Sequence, residues 1–330
     1  MTDASLTSPY CPDPRELPNT AIARHNEGCL FWVYIGHGQR RWLDYMRVDR
    51  HAFPILNIDH VEEMQAAAGS PIAVFLACYA GAFDEQQDCL GEAMLAAERG
   101  PVAVIAGTRV TMPYGNAVLG HALLEQKFQH QHATLGELIL QAKRAAADGD
   151  AKGSSRLLMD TLASAISPNK DELQDERNEH MHLYNLLGDP LLRLRKPQAV
   201  ALEVVETAKS GDEIAISGVS PIDGRAIVEL VCRRDRLTFE APSRRNFELT
   251  DASAKQLSEV YAQANDQRWV EQSLEIRDGK FTTTIAVPDE CQGHCHVRVY
   301  VEGPQGFSLG AKDVYVQSAG DEDERDPFSE

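Results

Sequence analysis

The sequence predicts an α/β domain built on a parallel sheet, followed by an all-β sandwich. Three observations carry this reading. Before Pro197, continuous apolar runs alternate with stretches of helical period. After it, apolar and polar residues alternate with period two. Turn signals such as Ser210-Gly211-Asp212, Asp223-Gly224 and Asp278-Gly279 punctuate that second half.

In the first part a strand is expected at about 30–35, a helix at 59–68, a strand at 72–77, a helix at 89–99 and a strand at 101–106. This βαβ order demands a parallel sheet with helices on both faces, and a run such as PIAVFLA fits a strand covered on both sides. Gly100-Pro101 punctuates the last helix-to-strand joint. Helices follow at about 115–130, 134–147 and 155–166. In the second part AVALEVVE, DEIAISG, RAIVELVCR, KFTTTIAVP, HCHVRVYVE and GAKDVYVQ read as strands of a small antiparallel sandwich. Residues 252–266 read as an amphipathic helix inserted between strands, followed by a strand through Trp269.

Composition narrows the functional classes. The chain has 330 residues, 43% hydrophobic and 25% charged, ordinary for a soluble globular protein of two domains. Fifty acidic residues against 32 basic ones give a net charge of -18, which argues against a nucleic-acid surface working by phosphate neutralisation. Residues 319–330 are too acidic to bury a core and are expected to be a disordered tail. Residues 1–20 are polar and proline-rich, a flexible N-terminus without the features of a secretory signal. As written the chain reads as cytoplasmic, with an exported location left open should the N-terminus be incomplete. No run approaches the roughly 18 apolar residues of a membrane span. Seven scattered cysteines, an odd number, read as reduced thiols.

The chemistry is expected at two strand ends. FWVYIGHG presents His37 and IAVFLACYAG presents Cys78, and in a parallel sheet both fall on the edge where loops converge on a ligand. A thiol with an imidazole forms a nucleophile and its base; Gly38 and Gly81 close behind permit tight turns that expose backbone amides to a developing oxyanion. The reaction class is acyl transfer. Taken singly, each residue has a plainer reading: a cysteine in FLAC as a small buried hydrophobe, a histidine after a strand as a turn cap. Cys89, at the start of a helix without a paired histidine, reads as structural, and Gly188-Asp189-Pro190 as a turn before a last strand, with Asp189 a turn residue. Cys291, His294, Cys295 and His296 in ECQGHCH match no standard zinc spacing, and alternation sends His294 and His296 to the face opposite Cys295.

In order along the chain, YIGHG, FLACYAGAFD, CLGEAMLAA, GPVAVIAGTRVTMPYG, TLGELILQAKR and YNLLGDPLLRL resemble the catalytic domain of gingipain-type cysteine peptidases, of the caspase-like group. The resemblance covers about residues 20–196. It implies a caspase-like parallel-sheet domain over 21–197 and an immunoglobulin-like domain over 198–318. It also implies a cysteine-type endopeptidase acting through a thioester acyl-enzyme, with Cys78 as nucleophile and His37 as general base and acid. The backbone amides of Gly38 and Cys78 would form the oxyanion hole, and Thr108, Met112 and Tyr114 would help wall the pocket for the side chain before the scissile bond. Where arginine-directed members carry a tryptophan, this chain has Met112, Pro113 and Tyr114, so a basic-residue preference is not implied. A peptide or protein substrate is the implied partner; no cofactor and no metal are called for, and structural calcium is not indicated. The family carries further strands before the histidine strand, whereas 36 residues precede His37 here. The domain is therefore expected to be N-terminally shortened: minimal, completed by a homo-oligomer or partner chain, or a remnant. Two readings from other classes stay beside the peptidase: an inactive caspase-like scaffold, and a thiol hydrolase of non-peptide acyl groups.

Overall fold

The computed structural model describes residues 7–8, 11–48, 50–67, 69–130, 132–150, 153–168, 170–194, 196–243, 250–304 and 306–318. The chain divides into two compact units, Met1–Leu194 and Arg195–Glu330.

The first unit opens with a short antiparallel pair, β1 (Thr7–Ser8) and β2 (Cys11–Pro12), and helix α1 (Leu17–Asn26). Strand β3 (Phe31–Ile35) is followed by a hairpin of β4 (Tyr45–Val48) and β5 (His51–Pro54), a 3-10 helix (Ile58–Glu63) and strand β6 (Ile72–Leu76). Then come α2 (Leu90–Ala96), β7 (Ala103–Gly107), α3 (Pro113–Phe128), α4 (Leu135–Ala147), α5 (Ser154–Ile166), α6 (Leu173–Leu183) and β8 (Tyr184–Leu187). The sheet order is β3-β6-β7-β8. The first three strands run parallel, Ile35 opposite Leu76 and Phe75 opposite Ala106, while β8 runs antiparallel with Leu187 opposite Val104.

Every residue of β6 and β7 is buried, which is what an apolar run covered by helices on both faces requires. Alternation sends Ile72, Val74 and Leu76 into a core with Val118, Leu119, Leu135 and Leu138. It sends Ala73 and Phe75 into a second core with Ile22, Leu56, Leu90 and Met94. In α4, Leu135, Leu138, Ile139, Ala142 and Ala146 form the buried stripe, and Thr134 caps the first turn by accepting from the Glu137 amide at 3.3 Å. Helix α3 packs so tightly on the sheet that a Cβ on Gly120 would fall 2.6 Å from Leu76 Cδ1. Strand β3 is the edge, and Val33 and Ile35 are 45% and 70% exposed.

Three expectations change. The helix at 59–68 is a 3-10 helix that stops at Glu63, because the Gln65 amide donates to Asn26 Oδ1 at 2.7 Å and the Ala66 amide to the Arg99 carbonyl at 3.2 Å. Those tertiary bonds replace helical ones. Residues 17–20, expected within a flexible terminus, begin α1. The strand expected after Gly188-Asp189-Pro190 precedes it as β8, and it is antiparallel. Asp189 closes the turn, its Oδ1 accepting from the Leu191 amide at 2.8 Å.

The second unit has β9 (Gln198–Ala199), β10 (Ala201–Val204), β11 (Thr207–Lys209), β12 (Glu213–Val219), β13 (Gly224–Cys232), α7 (Asp251–Ala264), β14 (Arg268–Ile276), β15 (Lys280–Ala286), β16 (Gly293–Gly303) and β17 (Gly306–Gln317). One sheet is β10-β12-β15; the other runs β11-β17-β16-β13-β14, with β9 also on β17. Pairing is antiparallel except for β9 and β11, which run parallel to β17. Inward residues of both sheets, among them Ile214, Ile216, Ile285, Val228, Val297 and Val299, share one core. The acidic stretch 319–330 lies outside the described residues, and among those described no helix is long and apolar enough to cross a membrane.

Candidate active site

The parallel register puts the ends of β3 and β6 side by side, since Ile35 and Leu76 are partners. Two residues on, the strands come closer still. A Cβ on Gly38 would lie 2.6 Å from the Cys78 carbonyl oxygen and 2.9 Å from Ala77 Cβ. Only glycine allows that approach. The turn that carries His37 is therefore packed at Gly38 against the backbone of Cys78, and the His37 carbonyl accepts from Tyr34 Oη at 2.8 Å. His37 is exposed and Cys78 half-buried.

After Cys78 the chain turns sharply. Tyr79 has φ 56°, a left-handed conformation unusual for a tyrosine, and its amide donates to the Arg109 carbonyl at 3.1 Å. The Gly81 amide donates to the Gly107 carbonyl at 2.9 Å, tying the turn to the end of β7. Charged side chains rim it: Arg109 pairs with Asp84 and Arg40 with Glu85, while the Arg40 guanidinium lies 5.8 Å from the Tyr79 ring centroid.

The thiol makes its hydrogen bonds to Thr111. The Thr111 amide donates to Cys78 Sγ at 3.3 Å, Thr111 Oγ1 lies 3.7 Å from it, and the thiol reaches the Thr111 carbonyl at 3.5 Å. Behind Thr111 sits Asn116, whose Nδ2 donates to Thr111 Oγ1 at 3.1 Å and to the Leu76 carbonyl at 3.3 Å. Tyr184 Oη donates to Asn116 Oδ1 at 2.6 Å. Burial, with the Cys78 sulfur nearby, holds the Tyr184 phenol neutral far above its ordinary range.

The remaining expected site residues divide. Thr108 is buried, and its amide and hydroxyl both donate to the Leu183 carbonyl at 2.9 Å, so both of its donors are engaged. The Met112 amide donates to His180 Nε2 at 3.0 Å, and the His180 ring in turn fills the space against Gly115. Tyr114 Oη donates to Asp160 Oδ1 at 2.6 Å and receives Arg177. Met112 and Tyr114 border an apolar cavity of about 290 Å³, lined further by Met159, Leu162 and Ile166. Glu176 also reaches this cavity, and its Oε1 accepts from the Gly115 amide at 2.7 Å.

Other cysteines are placed differently. Cys89 caps α2 and is buried; burial pushes its thiol up to about 11, the opposite of what its helix N-terminus would do. Cys291 and Cys295 are buried with sulfurs 3.6 Å apart. His296 Nδ1 lies 2.8 Å from Asp313 Oδ1 and His294 packs edge-on to Tyr315, so the two histidines have other partners. Among the described residues no group of histidine, cysteine and carboxylate side chains is arranged to hold a metal ion.

Sequence reasoning missed Thr111, Asn116 and Tyr184. Thr111 and Asn116 stand five apart across the start of α3, and only the sheet, by setting β8 antiparallel on β7, brings Tyr184 to them.

Fold and site together define an α/β domain that carries a cysteine and a histidine just beyond the ends of two neighbouring parallel strands of its sheet. The chain belongs to peptidase family C25, whose profile matches residues 6–195. Among solved structures it is similar to the Arg-specific cysteine proteinase gingipain R (RgpB), at 18% identity and a TM-score of 0.41, over 93% of this chain and 57% of that one. It is also similar to the complex of Porphyromonas gingivalis RgpB pro- and mature domains, at 18% identity and a TM-score of 0.39, over 93% of this chain and 59% of that one. The chain thus spans less than two thirds of the length of each of these two structures. No curated protein sequence matches it.

Proposed function

We propose that this protein is a cysteine endopeptidase in which Cys78 attacks the scissile carbonyl and His37 manages the proton. The observation that carries the reading is the contact of Gly38 with the Cys78 backbone, which sets the histidine turn against the thiol-bearing turn. The imidazole takes the thiol proton as the sulfur bonds to the carbonyl carbon, then returns it to the departing amine; water hydrolyses the resulting thioester. Neither the Gly38 nor the Cys78 amide donates to a backbone acceptor among the described residues, which suits both to the developing oxyanion. The thiol rests on Thr111, so a turn about χ1 precedes attack; apo sites commonly tighten only when substrate is bound.

Met112 and Tyr114 form the wall for the side chain before the scissile bond in this reading, with Thr108 behind them as support. The cavity they border is apolar and the Glu176 carboxylate within it is engaged, which favours an uncharged, apolar side chain. Peptide-library profiling of the wild-type chain and Cys78→Ala tests all of this. Cleavage after apolar residues, lost in Cys78→Ala and reduced by several orders of magnitude in His37→Ala, is the expected result. Cleavage that persists in Cys78→Ala overturns the dyad; cleavage only after arginine or lysine overturns the pocket.

An inactive scaffold is favoured by one observation, the orientation of the thiol toward Thr111. Under that reading a peptidyl acyloxymethyl ketone labels no residue, whereas the peptidase reading expects it on Cys78.

A further inference from the structure

We infer that Tyr184, Asn116 and Thr111 form a directed hydrogen-bond relay that ends on the Cys78 sulfur, with Thr111 as the positioning residue of the nucleophile. The inference deepens the peptidase reading and rests on it for its purpose, although the relay is tested separately below.

Each direction in the relay is fixed by chemistry. The Leu76 carbonyl can only accept, so the nitrogen of the Asn116 amide must face it, at 3.3 Å. That orientation leaves Oδ1 to accept from Tyr184 Oη at 2.6 Å and makes Nδ2 the donor to Thr111 Oγ1 at 3.1 Å. The threonine hydroxyl lies 3.7 Å from the sulfur, and with the thiol proton on the Thr111 carbonyl or passed to His37 it is the hydroxyl that donates. The Thr111 amide is a second donor to the same sulfur, at 3.3 Å.

Thr111 thereby serves both protonation states of the nucleophile. At rest the thiol donates to the Thr111 carbonyl at 3.5 Å. Once that proton has passed to His37, the amide and hydroxyl remain as two donors facing the anion. Hydrogen bonds to an ionised partner are about twice as strong as neutral ones, and low dielectric strengthens them further. Tyr184, Asn116 and Thr111 are 0%, 7% and 6% exposed. A trio of apolar residues would fill the same volume without the desolvation cost of three polar groups, so convergence of that trio on one sulfur calls for a reason beyond packing.

The test is the rate at which iodoacetamide alkylates Cys78 in the full chain, read by mass spectrometry at each cysteine, with a thermal melt for every variant. Thr111→Val keeps the shape and removes the hydroxyl, and should slow Cys78 about tenfold in a chain that still melts cooperatively, at a melting temperature lowered by the Asn116 amide left without its acceptor. Thr111→Ser keeps the hydroxyl and removes a methyl, and should alkylate close to the wild-type rate. Tyr184→Phe removes the far end and should slow Cys78 by about threefold, even if the valine variant does not fold. Cys89, buried beside α2, should stay unmodified in all of them. Equal rates in the valine and serine variants, a wild-type rate in Tyr184→Phe, or a wild-type Cys78 that resists alkylation would each overturn the relay. A valine-to-serine difference without any peptide cleavage keeps the relay and sinks the peptidase; cleavage without that difference does the reverse.

Discussion

At the scale of single residues, Gly38 is the most constrained position of the candidate site. An added methyl would meet backbone, the Cys78 carbonyl, and no rotamer can relieve that. Gly38→Ala should therefore cost about 1–3 kcal/mol in urea unfolding of the first unit and depress Cys78 labelling by a peptide probe; an unchanged labelling rate would show that the two turns can part freely. His25 makes a different prediction. It is buried against Trp32, and burial pulls its imidazole below the ordinary value near 6.5. The unfolded chain then takes up the proton first. The stability tied to the neutral ring is complete above that ordinary value and is lost as the pH falls below it. His25→Phe should flatten this acid limb between about pH 7.5 and about pH 5.5 in denaturant titrations. His37 and Cys78 stand out in the sequence because their residue types and strand ends name a chemistry. Thr111 does not, since a threonine in a loop says nothing until the sheet puts it against a sulfur.

Among elements, the buried strands and long amphipathic helices were legible and the polar or short ones were not. β6 and β7 are continuous apolar runs, and α4 and α5 carry clear helical periods. By contrast α6, LQDERNEHMHL, buries Glu176, Arg177 and His180, residues whose polarity hides the helical stripe. The β4–β5 hairpin is exposed or half-buried throughout, so its pattern is weak. The cap of α4 gives a direct test of local encoding. Thr134→Ala removes the acceptor for the Glu137 amide and should lower stability by about 1 kcal/mol in chemical denaturation, while Thr134→Ser should cost only a few tenths. Equal losses would mean that the hydroxyl does not cap.

At the scale of the whole molecule, each unit closes its own core. The inward residues of the sandwich are supplied entirely from Val200 onward. A fragment of residues 198–318 is therefore expected to fold alone and unfold in one cooperative calorimetric transition. A fragment that melts gradually would mean that the sandwich needs the first unit. The period-two alternation made the sandwich readable, but not the parallel seats of β9 and β11 on β17, because alternation carries no strand direction. In the first unit the free edge of β3 has a consequence in time. Among the described residues β6 is bonded on both sides, to β3 and β7, while β3 is bonded only to β6. The thiol thus sits at the end of a strand that opens to solvent deuterons only with the unit as a whole, and the imidazole at the end of one that can fray alone. Amides of residues 31–35 should exchange well ahead of those of residues 72–76, and that gap is a clock on how often the pair comes apart.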